Sequence, residues 1–198
     1  MQFQKHEIKD RILTAARDEF LKNGFEKASI RKITAAAKTS KSNVYNYFHN
    51  KDELFIAVVT PAISEIKAGF EELQIQNTGI HARTYSITAQ KEVIRKIMEF
   101  VYRHDIDIKL LLFRSSGSSL SGFKDRVTDM LSVLLISWIT HAAPDKEISE
   151  FFIRSVAGFY IGVIEQMLSQ GLTREQAAEH FEVFLKFVYG GWNTVLTS

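Results

Sequence analysis

The chain has 198 residues, 45% of them hydrophobic and 24% charged, which is enough for one sizeable core or for a small domain joined to a larger one. The formal net charge is +2, but residues 1–50 hold ten Lys/Arg against five Asp/Glu and the rest of the chain is mildly acidic, so an anionic partner is expected at the N-terminal end. Cysteine is absent, which excludes disulfides and thiolate metal sites. The polar start MQFQKHEIKD is not a secretory signal and no uncharged apolar run of about 18 residues indicates a membrane span, so no membrane partner and a cytoplasmic location are expected.

Helical periodicity dominates from the start. A first helix is expected from Lys5 to Asn23, with Ile8, Ile12, Leu13, Ala16 and Phe20 on one face and Gly24 in the position of a C-terminal glycine. Ser29 and Ser40 are the expected N-caps of two short helices, the first of which carries Ile33, Ala36 and Ala37. Asn50 with Glu53 three residues later forms a capping-box pattern and opens a longer fourth helix at Lys51. Pro61 lies three turns into that helix. It removes the bond to the carbonyl of Ala57, so a kink or a split is expected there.

The polar segment QIQNTGIHARTYSITAQ, Gln74 to Gln90, reads as a loop. Helical patterns resume over Lys91–His104, Asp105–Ser115 and Leu120–His141, with RSSGSS (Arg114–Ser119) as the break between the last two. A long apolar helix is expected from Pro144 to Gln170, ended by Gly171. Thr173 with Gln176 is a capping box for a final helix running to about Thr194. The fold class is therefore all-α, with about nine helices in total.

Residues 29–51 hold two short helices separated by the turn AKTS, with small residues where they approach, which is the layout of a helix-turn-helix. The first turn of its second helix carries Lys41, Ser42 and Asn43. Lysine can donate to guanine or phosphate, asparagine can pair with adenine, and serine can meet either. Val44 and Phe48, four residues apart, are expected to face inward. Tyr45 and Tyr47 flank them with hydroxyls in reach of phosphates, and Lys51 at the start of the fourth helix suits a phosphate clamp.

The stretch ILTAARDEFLKNGFEKASIRKITAAAKTSKSNVYNYFHNKDELF, Ile12 to Phe55, resembles the TetR family of bacterial transcriptional regulators. The resemblance rests on the ILxAAxxxFxxxGF first helix, a Ser-Ile-x-x-Ile second helix, Tyr-x-Tyr-Phe closing the third and Asn-Lys-Asp-Glu-Leu opening the fourth. It implies that the third helix reads DNA, with Lys41, Ser42 and Asn43 at bases or phosphates. It places Tyr45, Tyr47 and Lys51 on the backbone and Arg31 near phosphate. It also implies a DNA-binding domain over 1–50, an effector-binding and dimerisation domain over 51–198, and a repressor. The chain departs from the family at its turn. Ala37-Lys38-Thr39-Ser40 stands where Ala-Gly-Val-Ser is usual, so Lys38 is expected in a left-handed conformation that costs roughly 1 kcal/mol.

Beyond residue 55 the resemblance is one of length and helical layout. Phe151, Phe152, Val156, Phe159, Val163 and Met167 form an apolar face, with Ser155, Gly158 and Gly162 small enough for a second helix to approach. Ala177, Phe181, Phe184, Leu185, Val188 and Trp192 form another. Both helices could be buried within one monomer, but the resemblance implies a homodimer built through them on a roughly palindromic double-stranded DNA operator. Trp138, Tyr102 and Leu110–Phe113 suit either a cavity for a small apolar effector or a filled core, and Arg114 with SSGSS could supply polar contacts at a pocket mouth. The ligand-binding residues are unknown. The six histidines are scattered, with no His-x-x-x-His pair, phosphate loop or nucleophile elbow, so no enzyme, cofactor or metal is expected. His104, Asp105 and Asp107 read as a helix start. Two rivals stand beside this reading: a helical protein-interaction module, and a DNA-binding regulator without a small-molecule ligand.

Overall fold

The computed structural model describes residues 2–77 and 87–197, and all the regular elements among them are helices. They are α1 (Gln2–Lys27), α2 (Ile30–Ala36), α3 (Lys41–Tyr45), α4 (Lys51–Asn77), α5 (Ile87–Arg103), α6 (Asp105–Phe113), α7 (Phe123–Ala142), α8 (Glu150–Ser169) and α9 (Arg174–Thr197). The chain forms two compact units. One comprises Met1–Glu65 with Ile106–Lys124, and the other Ile66–Asp105 with Asp125–Ser198.

In the first unit the apolar stripe of α1 is buried as its periodicity predicts. Ile12, Ala16 and Phe20 are fully enclosed, while Ile8 and Leu13 are partly covered. Phe20 meets Phe55 of α4 edge-on at 5.0 Å, and Phe25 closes the trio at 5.4 Å from Phe55. Rings buried this completely contribute about 2–3 kcal/mol each. Gly24 interrupts α1 with φ 71° and ψ 165°, a conformation reserved in practice for glycine. The turned backbone lets Phe25 N–H donate to the Arg114 carbonyl at 2.8 Å, beyond the end of α6. The RSSGSS break therefore packs against α1 and the start of α4. Ser119 N–H donates to Asp52 at 2.9 Å, and Gly117 lies over the Glu26 side chain. Those contacts belong to the first unit, not to a ligand pocket in the second.

Another tie in this unit is electrostatic. Asp107 on α6 is 4% exposed and pairs with the Arg17 guanidinium of α1, Nε to Oδ1 3.1 Å and a second nitrogen to Oδ2 3.3 Å. A buried carboxylate requires such a partner, and removing one member strands the other.

Several elements depart from expectation. α4 runs through Pro61 without a break, and Pro61 and Thr60 are exposed, so water can satisfy the carbonyl that loses its donor. The proline does not split the helix. Gln74–Asn77 complete α4 and Ile87–Gln90 begin α5, which shortens the loop expected over 74–90; residues 78–86 lie outside the described residues. α8 begins at Glu150 rather than Pro144. Pro144 instead takes the second position of a turn closed by Lys146 N–H to the Ala143 carbonyl, and Ser149 caps the helix through Phe152 N–H.

The second unit is built around α9. Ala177, Phe181, Phe184, Leu185, Val188 and Trp192 are all buried, as the spacing predicts. Thr173 and Gln176 make the reciprocal capping box, at 2.9 and 3.3 Å. Trp138 of α7 and Trp192 meet edge-to-face at 5.7 Å, and Phe184 receives Phe159 and Tyr160 of α8 in the same manner. Tyr102 donates to the Leu172 carbonyl at 2.8 Å, and burial pushes its phenol pKa up. Leu110 and Leu111 are core residues of the first unit, whereas Tyr102 and Trp138 belong to the second.

The core-facing residues of α8 are Ile153, Ala157, Ile161, Met167 and Leu168. Of the face predicted from sequence only Met167 is fully buried. Phe151 is 83% exposed, Phe159 49% and Phe152 40%. A helix that is apolar around most of its circumference cannot reveal its inward side by composition. α8 is also, among the described helices, the one long and apolar enough to cross a membrane by length and composition.

Candidate nucleic-acid interface

The geometry of the α2–α3 hairpin follows from how α2 ends. Lys38 N–H donates to the Ala35 carbonyl at 3.2 Å and Thr39 N–H to the Thr34 carbonyl at 3.0 Å. This pair of bonds is a Schellman closure, and its middle residue must be left-handed. Lys38 takes that place with φ 50°, the one positive φ outside glycine among the described residues. The same closure recurs where α8 ends, with Leu172 N–H to the Met167 carbonyl and Gly171 N–H to the Leu168 carbonyl; there φ 65° falls on glycine. The lysine turn thus keeps the ordinary geometry at an energetic cost, and the Lys38 side chain stands exposed.

Ser29 and Ser40 both precede helices, but they cap differently. Ser40 Oγ accepts from Asn43 N–H at 3.1 Å. The Ser29 hydroxyl makes no cap bond; instead the Glu19 carboxylate of α1 accepts from Ser29 N–H at 3.0 Å. Glu19 also lies 3.9 Å from the Lys32 ammonium. No sequence pattern links Glu19 to Ser29, because the partners sit on different helices.

α3 is short, but its hydrogen bonding continues past Tyr45, with Phe48 N–H donating to the Val44 carbonyl at 3.0 Å. Val44 and Phe48 are buried at 1% and 5% exposure, and they anchor the helix by its inner side. That orientation leaves Lys41, Ser42 and Tyr45 exposed on the outer side, with the Lys41 ammonium 5.7 Å from the Tyr45 ring. Asn43 and Tyr47 are half-buried, and the Tyr47 ring tilts against Phe48 at 6.3 Å. Arg31, second residue of α2, is exposed. The structure therefore gathers Lys41, Ser42, Asn43 and Tyr45 on one five-residue helix beside the exposed lysine turn.

Lys51 is placed differently. Its ammonium donates to the carbonyls of Phe25, Glu26 and Ala28 at 2.7, 3.0 and 3.4 Å, and sits 4.6 Å from the centre of the Phe25 ring. An ammonium has three hydrogens, and all three are engaged. In this structure Lys51 caps the end of α1 and ties it to the start of α4. Next to it, Asn50 Oδ1 accepts from Glu53 N–H at 2.8 Å, while the Glu53 carboxylate accepts from His49 N–H, one residue before the position a strict capping box uses.

Among the described residues no cluster of three or more His, Asp or Glu could hold a metal ion. The groove that forms in the second unit is open, about 320 Å³, and lined by Lys67, Phe70, Glu71, Gln74, Met130 and Val133.

Comparison with known proteins places this geometry. The profile of "Bacterial regulatory proteins, tetR family" matches residues 12–58. The HTH-type transcriptional regulator QacR of Staphylococcus aureus is 30% identical over 69 residues, 35% of this chain and 37% of that protein. The HTH-type transcriptional regulator YdgC of Bacillus subtilis is 25% identical over 190 residues, 93% of this chain and 92% of that one. The chain spans less than half the length of the first of the curated relatives it matches. The fold is similar to that of a TetR-family protein from Syntrophomonas wolfei, at a TM-score of 0.64 and 18% identity, covering 92% of this chain and 95% of that one. A matching N-terminal segment, an exposed α3 anchored at Val44 and Phe48, and a similar helical layout agree: residues 12–58 match the N-terminal region of the TetR family of bacterial regulatory proteins, and the chain is similar in fold to members of that family.

Proposed function

We propose that this protein is a sequence-specific DNA-binding transcriptional regulator, a homodimeric repressor that a small, largely apolar ligand releases from its operator. The observation that carries the reading is the outer side of α3. A helix pinned through Val44 and Phe48 presents Lys41, Ser42, Asn43 and Tyr45, with Lys41, Ser42 and Tyr45 exposed. These residue types suit a major groove: Lys41 and Ser42 at phosphate or base edges, Asn43 at adenine, Tyr45, Tyr47 and Arg31 at phosphates. Lys51 supports that surface by positioning rather than by direct contact, since its ammonium is engaged.

Residues 1–50 are the DNA-binding part of this proposal and 51–198 the part that dimerises and binds the effector. The outward sides of the two terminal helices support dimerisation. On α8 they carry Phe151, Ser155, Gly158, Phe159 and Gly162, and on α9 Val183, Phe187, Gly190 and Gly191, with Phe151 and Phe187 exposed by 83% and 71%. Among the described residues, nothing beyond the adjoining backbone of its own helix lies within 4 Å of where a Cβ on any of those four glycines would sit, so a partner helix could approach closely. Such apolar surface on an otherwise charged chain marks a protein interface. It also accounts for the apolar character of α8 without a membrane.

Two recognition helices related by the dimer axis suit successive major grooves of a roughly palindromic operator. The ligand acts by preferring the conformation in which those helices are wrongly spaced. Repression itself is named for relatives, among them NalD of Pseudomonas aeruginosa, described as the secondary repressor of a multidrug efflux pump. Selection of bound sequences from random duplex DNA by the purified protein tests the reading. A palindromic enriched site, bound with steep salt dependence, is the expected result, because neutralised phosphates release counterions. Recovery of no enriched sequence overturns it.

A further inference from the structure

We propose that Thr39 is a specificity-determining positioning residue, whose hydroxyl holds the Asn43 side chain ready to read an adenine edge. The inference rests on the DNA-reading role given to Asn43 and goes further, naming the residue that prepares it. Asn43 is held at both ends. Its backbone N–H donates to Ser40 Oγ at 3.1 Å, and its side-chain Nδ2 donates to Thr39 Oγ1 at 2.8 Å. Thr39 is itself fixed, because its N–H closes the end of α2 on the Thr34 carbonyl at 3.0 Å. Rigidity passes from α2 through the Thr39 backbone and hydroxyl to the Asn43 amide.

The chemistry of the amide makes this a preparation rather than an obstruction. Nδ2 carries two hydrogens and Oδ1 two lone pairs. One hydrogen is spent on Thr39. The other N–H and the carbonyl remain, and they are the donor and acceptor that N7 and the N6 amino group of adenine require. An unrestrained asparagine must surrender rotamer freedom on binding, whereas one already held has little left to surrender. Valine at position 39 keeps the shape but offers no acceptor, and serine keeps the acceptor. One of the two positions that depart from the family pattern at the turn is therefore the one that holds the reading group.

The experiment measures affinity for the duplex that wild-type protein enriches from random DNA, and for duplexes with each base pair of one half-site changed in turn. Asn43→Ala is expected to lower discrimination at one base pair by about tenfold. Thr39→Val is expected to lower it at that same base pair by about threefold, with affinity for unrelated DNA unchanged. Thr39→Ser retains wild-type discrimination, and Thr39→Val adds nothing in the Asn43→Ala background. Circular dichroism and the thermal midpoint establish folding, and Thr39→Ala replaces Thr39→Val if valine is not accepted in the turn. The proposal is overturned if Asn43→Ala collapses discrimination while the Thr39 variants leave it intact. It is overturned also if they weaken every duplex equally, or if serine behaves as valine. If Asn43→Ala leaves every ratio at its wild-type value, the base-reading role fails first and takes this one with it; if wild-type protein enriches nothing, DNA binding itself fails.

Discussion

The short helix α3 and the two terminal helices leave opposite kinds of side chain uncovered. α3 buries Val44 and Phe48 and exposes Lys41, Ser42 and Tyr45, while α8 and α9 bury one apolar side and expose another, with Phe151, Phe159, Val183 and Phe187 outward. Polar groups held outward on a rigid helix suit a charged, hydrated partner, and their contacts weaken with salt. Apolar groups held outward suit a second protein surface, whose affinity rests on removing area from water. One chain carrying both is equipped for two associations that salt should separate.

The sharpest way to break that contrast is to place a charge on the apolar side. Phe187→Glu is expected to weaken self-association by more than about 100-fold, since a carboxylate buried at an interface costs several kcal/mol. Sedimentation at micromolar concentration checks it, and an unchanged species removes α9 from the interface. Next in size, Lys41→Ala with Asn43→Ala is expected to weaken the preferred duplex by about 2–4 kcal/mol while nonspecific binding falls far less; equal losses on all sequences would leave α3 without a reading role. Lys51→Met comes third. It leaves carbonyls at the end of α1 without a donor, and a loss of about 1–3 kcal/mol of stability in urea unfolding is expected. The slope of log affinity against log salt should stay at the wild-type value, whereas removal of a phosphate-binding cation would lower it by about one.

The two smallest effects test the turn and the flank. Lys38→Gly relieves a left-handed lysine and is expected to raise the thermal midpoint by about 2 °C, since about 1 kcal/mol shifts a chain of this size by that order. A lower midpoint would show that the lysine side chain stabilises the turn by some interaction of its own. Tyr47→Phe is expected to weaken binding by roughly threefold on every duplex, as loss of one neutral hydrogen bond does. Unchanged affinity would withdraw its phosphate role.

How much was legible varies with the range of the interaction. The α9 stripe, the Thr173–Gln176 box, the Ser40 cap and the left-handed Lys38 could all be read from residues three to five apart, because helix period and capping are local. The start of α8 was misread because proline suits a first helical turn and a reverse turn equally, and the choice fell to Ser149 further along. Glu19 capping Ser29, and Arg17 pairing with Asp107, join residues 10 and 90 positions apart, so nothing in the local pattern announces them. Lys51 at a helix start reads as a phosphate ligand until the carbonyls of Phe25, Glu26 and Ala28 are seen around it.

Sequence alone determined the helical class, the helix-turn-helix layout and its resemblance to a family over residues 12–58, and the division between a basic end and an apolar end. Those properties depend on periodicity, caps and charge, which neighbouring residues carry among themselves. The tertiary structure decided which side of α8 lies inward, where the Lys51 ammonium is spent, that RSSGSS packs on α1 and α4, and that Thr39 grips Asn43. Each of these is a choice among partners of similar chemistry, and only packing in three dimensions brings one of them within hydrogen-bonding or van der Waals distance.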